Sequence, residues 1–369
     1  MNILLFSRIA ARSGVGNHMK QLAEELVRRG HHVVVVSSTN DLEIGKGNEI
    51  VFERLSPIDP NPVHILKGCR RLEEIITKHQ IDLVHCHHRM AAMYMMFYRR
   101  FHRIPMVYTL HLANIPSDFL HRKMTYAGDR AIGVSTEVST YLVEKLQVPK
   151  EKVCTVFNGV DEKRLLPLCS GEKEQLYRKW GIRPEGRTVF VMHSRIDEIK
   201  NQLVTVRAAA VMPEEYRKRF LFVCSGKKTG SYYEAVIREI KASHLEENFV
   251  FTGWAETREI LGIADVLVLS SFNEGFPLSV VEAFLMRVPV LRSRTSGFED
   301  QKYCTEMSID TPEDVAKVLA DYLDRPSVYR ARIEEAYQYA MENFTLERMT
   351  DHTLEVYDSV LEKYRPGQK

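Results

Sequence analysis

No stretch of this chain approaches the roughly 20 apolar residues that a membrane-crossing helix requires. The opening MNILLFSRIAAR is too short in its apolar part for a secretory leader and lacks the small-residue cleavage site that follows one. Cysteine is sparse: the six residues Cys69, Cys86, Cys154, Cys169, Cys224 and Cys304 contain no C-x-x-C pair. That excludes a disulfide framework and a zinc knuckle and predicts reduced thiols. A surplus of one charge is missing as well, with a formal net charge of only +2, and no nucleic-acid partner is expected. These absences predict a cytoplasmic protein.

What is present is length and alternation. A chain of 369 residues exceeds one ordinary core and predicts two domains of about 150 to 200 residues each, with a cleft between them. The small net charge hides an asymmetry: residues 1–150 carry 20 Lys and Arg against 14 Asp and Glu, and 11 of the 14 histidines. No acidic residue falls between Asp82 and Asp118, where Arg89, Arg99, Arg100 and Arg103 lie. A lobe biased this way suits an anionic membrane surface or a phosphate-bearing acceptor.

Apolar strands alternate with amphipathic helices twice over. NILLFS (2–7), HHVVVVSS (31–38), DLVHCHH (82–88), PMVYTLH (105–111) and RAIGVS (130–135) read as strands, and 18–30 as the first helix, closed by Gly30. VCTVFNGVD (153–161) reads as the exit from this lobe. The second series is TVFVMHS (188–194), FLFVCSG (220–226), NFVFTG (248–253), ADVLVLSS (264–271) and VPVLRS (288–293). Continuous valine runs suit parallel sheets buried on both faces, so the fold class is α/β with two Rossmann-like doubly wound domains. The expected division is 1–160 and 161–349, with a terminal helix at about 350–369 returning to the first domain.

Ligands of open α/β sheets sit beyond the carboxyl ends of the strands, and the residues there carry chemistry. In SSFNEGFPLSVVEAF (270–284), Glu274 occupies a turn kept non-helical by Gly275 and Pro277. A helix starts near Leu278 and carries Glu282. The helix start, with Phe276, Pro277, Leu278 and Ser279 around it, is a phosphate site. Two flanking carboxylates suit a ligand with a diphosphate centre and a hydroxyl-rich ring at each end, which is the shape of a nucleotide sugar. Arg195 and Lys200 follow the first strand of the second lobe, placed to neutralise a leaving diphosphate. Gly226 and Gly253 follow two further strands and allow close approach of a flat base. RSGVGN (12–17) is a glycine-bearing loop before the first helix.

Together, E-x7-E from Glu274 to Glu282, R-x4-K at Arg195 and Lys200, NGVD at 158–161 and the loop at 13–16 resemble glycosyltransferase family 4, of the GT-B fold. The resemblance covers nearly the whole chain and is strongest over 153–300. It implies that Arg195 and Lys200 grip the donor diphosphate, Glu282 binds the ribose and Glu274 contacts the transferred sugar. It further implies that His111 faces that sugar from the first domain and that Gly14 and Gly16 let phosphate and acceptor come close. It implies retention of anomeric configuration, a UDP- or GDP-sugar donor and no essential metal or other cofactor. The implied acceptor is a glycan or lipid-linked glycan of bacterial surface polysaccharide synthesis (lipopolysaccharide, capsule or exopolysaccharide), met at the inner face of the membrane by a peripheral enzyme. The sugar transferred is implied to be a hexosyl or N-acetylhexosaminyl group. The chain departs from the family pattern at Ser13-Gly14, His193-Ser194 and Ser296-Gly297.

Other readings compete. An inverting transferase would use a histidine base, for which His18 is the candidate. An NAD-dependent oxidoreductase needs a third glycine after Gly14 and Gly16, where the chain has Met19. A catalytically silent scaffold would not need Glu274, Glu282, Arg195 and Lys200. HCHH (85–88) invites a metal, but strand alternation lets at most His85 with His87, or Cys86 with His88, share a face, so no metal ligand is predicted and His87 or His88 is expected to line the cleft. The helix RMAAMYMMFYRRFHR (89–103), apolar nearly all round, is expected to be buried between layers, with membrane docking through its Arg and aromatic end as the functional alternative.

Overall fold

A computed structural model describes residues 1–364 except 11, 12, 48, 58 and 229. Arg12 of the glycine-bearing loop and residues 365–369 of the expected terminal helix lie outside the described residues. The chain divides into two compact units, Met1–Gly159 together with the segment from Phe344 onward, and Val160–Asn343.

Unit 1 alternates β1 (Asn2–Phe6), α1 (Gly14–Arg28), β2 (His32–Ser37), β3 (Val51–Arg54), α2 (Pro62–Lys78), β4 (Leu83–Cys86), α3 (Arg89–Tyr98), β5 (Met106–Leu110), α4 (Phe119–Met124), β6 (Arg130–Gly133), α5 (Thr136–Glu144) and β7 (Val153–Thr155). The strands form one parallel sheet in the order β3-β2-β1-β4-β5-β6-β7. Val33 to Val36 are fully buried, as a strand covered on both faces demands, and each such side chain contributes about 1.5–3 kcal/mol of burial.

The first helix begins at Gly14, four residues before the sequence-based boundary. Ser13 adopts the extended cap conformation and its hydroxyl accepts from Gly16 N at 3.2 Å, so the glycines form the first helical turn rather than a loop. Strand β3 carries a buried charge that masks its apolar pattern: Glu53 accepts from Arg71, Lys78 and His79 at 2.6, 2.8 and 3.0 Å. The apolar helix α3 stops at Tyr98, and residues 100–103 are exposed.

Unit 2 runs α6 (Ser170–Trp180), β8 (Thr188–His193), α7 (Gln202–Val211), α8 (Glu214–Arg217), β9 (Phe220–Ser225), α9 (Gly230–Ala242), β10 (Phe249–Gly253), α10 (Thr257–Gly262), β11 (Val266–Leu269), α11 (Leu278–Leu285), β12 (Val290–Arg292), β13 (Thr305–Glu306), α12 (Pro312–Asp324), α13 (Pro326–Arg330) and α14 (Ile333–Asn343). Its sheet is also parallel, in the order β10-β9-β8-β11-β12-β13. Phe190, Phe222 and Phe249 stack across its core, with centroids 5.0 Å apart in each successive pair.

The chain then returns to unit 1 as α15 (Leu346–Leu361), capped by the Thr345 hydroxyl. Arg29 pairs with Asp351 at 2.5 Å, and Tyr357 buries its hydroxyl against His85 Nδ1 at 2.7 Å. Gly159 of the NGVD motif lies against this helix start. A Cβ there would meet Thr345 O at 2.3 Å, so the exit from the sheet must be glycine.

Candidate active site

In each sheet the strand order reverses once, between β1 and β4 in unit 1 and between β8 and β11 in unit 2. A crevice opens at such a switch point, beyond the carboxyl ends. In unit 2 the segments leaving β8 and β11 carry Arg195, Lys200 and Glu274.

These segments are stitched together. Phe272 N donates to Ile199 O at 2.8 Å, and the buried Ser270 hydroxyl donates to Lys200 O and Asn201 O at 3.1 and 3.0 Å. Asp197 accepts from Lys200 N at 3.1 Å and pairs with the half-exposed Arg195 guanidinium at 3.1 Å. The Lys200 ammonium lies 2.5 Å from Glu274 Oε1, and Glu274 is only 8% exposed. Two of the residues named from sequence therefore contact one another directly. Gln202, buried, holds the carbonyl of Arg195 at 2.8 Å.

Helix α11 starts three residues after Gly275. Its cap residue is Pro277, which has no side-chain acceptor, so the first-turn amides carry no side-chain cap. Phe276 and Pro277 are buried, while Leu278 and Ser279 are partly open. Glu282, one turn in, is partly buried; burial pushes its carboxyl up to about 7, against the hydrogen bond from Thr257 that favours the charged form. Thr257 Oγ1 in turn lies 3.2 Å from His193 Nε2, an imidazole that burial lowers to about 4.

The glycine after β9 and the one that ends β10 differ. Gly226 faces its own chain: with φ at +150°, a Cβ would fall 1.9 Å from Ser194 O. The β8 end fills the side on which a Cβ would stand, so the position accepts only glycine. Gly253, at φ +73°, has open space where a Cβ would point.

Sequence reasoning missed the support beneath the Glu274 turn. Arg292, fully buried at the end of β12, donates to Gln301, to Thr295 Oγ1 at 2.8 Å and to the Ser296 carbonyl at 3.2 Å. Gln301 passes the restraint on by donating to Pro277 O at 3.0 Å. Gly297, at φ +80°, lets the same loop lie against Phe276, where a Cβ would come within 3.1 Å of the ring. An arginine inside the apolar run VPVLRS is the sequence signal that marked it.

In unit 1, the residues just past β4 and β5 are His87 and His111. His87 Nδ1 and His111 Nε2 lie 3.2 Å apart, and the His18 ring packs 4.8 Å from that of His111. Burial lowers His18 to about 4 and holds His87 and His111 well below the ordinary imidazole value. The HCHH run is split in role: His85 bonds Tyr357 and Thr109, while His88 caps α3 through Nδ1 at 3.2 Å from Met90 N. Gly14 and Gly16 sit in the first turn of α1, Gly14 exposed and Gly16 buried.

Family models match along most of the length: Glycosyltransferase Family 4 over residues 12–164 and Glycosyl transferases group 1 over residues 173–339. The chain belongs to glycosyltransferase family 4. The N-acetyl-alpha-D-glucosaminyl L-malate synthase of Bacillus anthracis is 24% identical over 94% of each chain. Among solved structures, a Rickettsia africae glycosyltransferase superposes with a TM-score of 0.86 at 21% identity, covering 98% of this chain and 99% of its own. Anabaena HepE in complex with UDP-glucose superposes at 0.83 with 17% identity, covering 97% and 100%. The two parallel-sheet units are thus those of the GT-B fold, and the protein is a glycosyltransferase of this family. Membership removes the oxidoreductase reading of the Gly14-x-Gly16 turn.

Proposed function

We propose that this family 4 enzyme transfers a sugar, with retention, from a nucleotide-diphosphate-sugar to a glycan acceptor. The observation that carries the reading is the pairing of Lys200 with Glu274 at the β8/β11 switch point, beside Arg195 and the uncapped start of α11. The amides around Phe276 to Ser279 and the two cations bind the diphosphate. Glu274 accepts from hydroxyls of the transferred sugar and Glu282 from the ribose, while Gly253 leaves space for the base. His111 takes the sugar-facing role from unit 1, and Gly14 and Gly16 serve the approach of phosphate and acceptor.

In the reaction the bond between C1 and the phosphate oxygen breaks and the acceptor oxygen bonds to C1 on the same face. The acceptor proton passes to the departing phosphate oxygen. Arg195 and Lys200 stabilise the charge that develops there, the role a metal plays in other transferases, so no metal is required. Complexes of the Anabaena neighbour with UDP and UDP-glucose support a donor of this class. An inverting reaction through His18 is disfavoured because burial lowers this imidazole to about 4, a weak base at neutral pH.

The acceptor is a glycan or lipid-linked glycan of bacterial surface polysaccharide synthesis, reached at the inner face of the cell membrane. Among the described residues no helix is long and apolar enough to cross a membrane. Support for peripheral contact comes from the exposed Arg100 and Arg103 and the 86% exposed Phe101 between them in sequence. Arg99 is not part of this surface, because it forms an ion pair with Asp129 at 3.0 Å. Pelleting with anionic vesicles at low salt checks this contact, and absence of binding refutes it.

Thermal-shift screening of UDP-, GDP- and ADP-sugars, followed by NMR of the product's anomeric proton, tests the reaction. Release of a nucleoside diphosphate with a retained anomer is the expected result. Inversion, or failure of every donor, overturns the reading.

A further inference from the structure

We propose that His18, His87 and His111 form a transition-metal site in unit 1, suited to Zn2+, whose occupation withdraws His111 from transfer. One nitrogen from each ring lies within 4.8 Å of those from the other two. His87 Nδ1 and His111 Nε2 are already 3.2 Å apart. Two imidazole nitrogens on one tetrahedral zinc, at metal distances of about 2.0–2.1 Å, stand about 3.3 Å from one another. One pair is therefore at ligand spacing, and the third ring needs a shift of at most about 1.5 Å to join it.

A second observation points to a ligand. His18 Nδ1 and His87 Nε2 are buried and have no hydrogen-bond partner among the described residues, in side chains only 5% and 2% exposed. An orphaned buried polar atom costs about 1–3 kcal/mol, a cost that an ion bound at His18 Nδ1 relieves; His87 Nε2 is the other nitrogen of a ring whose Nδ1 meets His111, and it is not relieved by that ion. His85 stands apart: both of its nitrogens are engaged by Tyr357 and Thr109, and its ring lies 4.0 Å from that of His87 at a 38° tilt. Burial also keeps the three candidate imidazoles neutral, the state a metal binds.

For both His87 Nδ1 and His111 Nε2 to present lone pairs, the proton shared between them moves to the other nitrogen of its ring. For His87 that is the unpartnered Nε2. Three imidazoles favour Zn2+ and its neighbours over Mg2+ or Ca2+, and leave the fourth position to water. The histidines arrive from the end of β4, the end of β5 and the second turn of α1, which is why the linear HCHH run did not reveal the set.

The inhibitory part rests on the sugar-facing role proposed for His111, and the experiment keeps the two apart. Chelator-stripped protein is titrated with Zn2+ against a chromophoric competitor, in the absence of any sugar donor. One equivalent is expected, with affinity falling in H18A and H87A by more than the roughly 10- to 100-fold that losing an outer-shell partner costs. Co2+ loaded into the unaltered protein should give tetrahedral absorption bands that Zn2+ bleaches, a readout that stands even where a variant folds poorly. Absence of those bands, or zinc affinity unchanged in both variants, overturns the site. Turnover of the same samples should fall with zinc and return with chelator; undiminished turnover at full zinc occupancy overturns the inhibitory role.

Discussion

Replacing Lys200 with alanine separates stability from catalysis. The substitution leaves the Glu274 carboxylate, 8% exposed, without the ammonium now 2.5 Å away. Breaking a fully buried ion pair costs about 3–5 kcal/mol. The Lys200 side chain keeps 18% of its surface in solvent and water can partly take its place, so about 2–3 kcal/mol is expected here. For a unit of this size that lowers the melting temperature by about 4–12 °C. Turnover should fall by about 100-fold or more, the loss that follows removal of one donor from a developing oxyanion. A neutral pair, K200M with E274Q, should recover most of the lost stability because no charge is left buried alone, yet stay inactive. Differential scanning fluorimetry and nucleoside diphosphate release measure the two quantities. K200A melting like the unaltered protein would refute the buried pair, and a K200M/E274Q enzyme turning over normally would refute the catalytic use of its charges.

Two further predictions come from the same unit. The Glu282 carboxyl, raised to about 7 in the folded protein, binds more protons folded than unfolded between about pH 4.5 and 7, so its contribution to stability declines as pH rises through that window and levels off above it. E282Q should flatten this slope in urea titrations. Donor affinity should strengthen from pH 6 to 8 in the unaltered protein alone, because ribose hydroxyls donate best to the ionised form; equal pH profiles in both proteins would refute the ribose assignment. Gly226→Ala must push a Cβ into Ser194 O and should cost about 1–3 kcal/mol or more, whereas Gly253→Ala carries only the left-handed backbone penalty of about 1–2 kcal/mol and should weaken donor binding more than folding. Melting curves and donor titrations separate the two, and the reverse ranking in stability would sink the distinction.

Where the physics is local, the sequence was readable. The four buried valines of β2 announced a parallel strand covered on both sides, and the Glu274 turn announced itself through the Gly-Phe-Pro that keeps it from coiling. Strand β3 was hidden because Glu53 interrupts its apolar face, and nothing nearby in sequence signals the Arg71, Lys78 and His79 side chains that hydrogen-bond it. Two-residue β13 is too short for any periodicity. The glycine of CSGKK is legible as a point of close backbone approach, but the carbonyl that would meet its Cβ belongs to Ser194, 32 positions earlier. The histidine triad shows the same limit: His18, His87 and His111 meet only once three separate β-α crossovers are laid side by side.

The tether from Arg292 through Gln301 to the Pro277 carbonyl bears on attempts to redesign donor choice. Swapping the segment around Glu274 for that of a relative would leave the new residues resting on an arginine, a glutamine and a glycine shaped for the old ones. A transplant that carries 292–301 along with 274–278 moves the furniture together with the floor, and on this architecture the two stretches form the smallest exchangeable module.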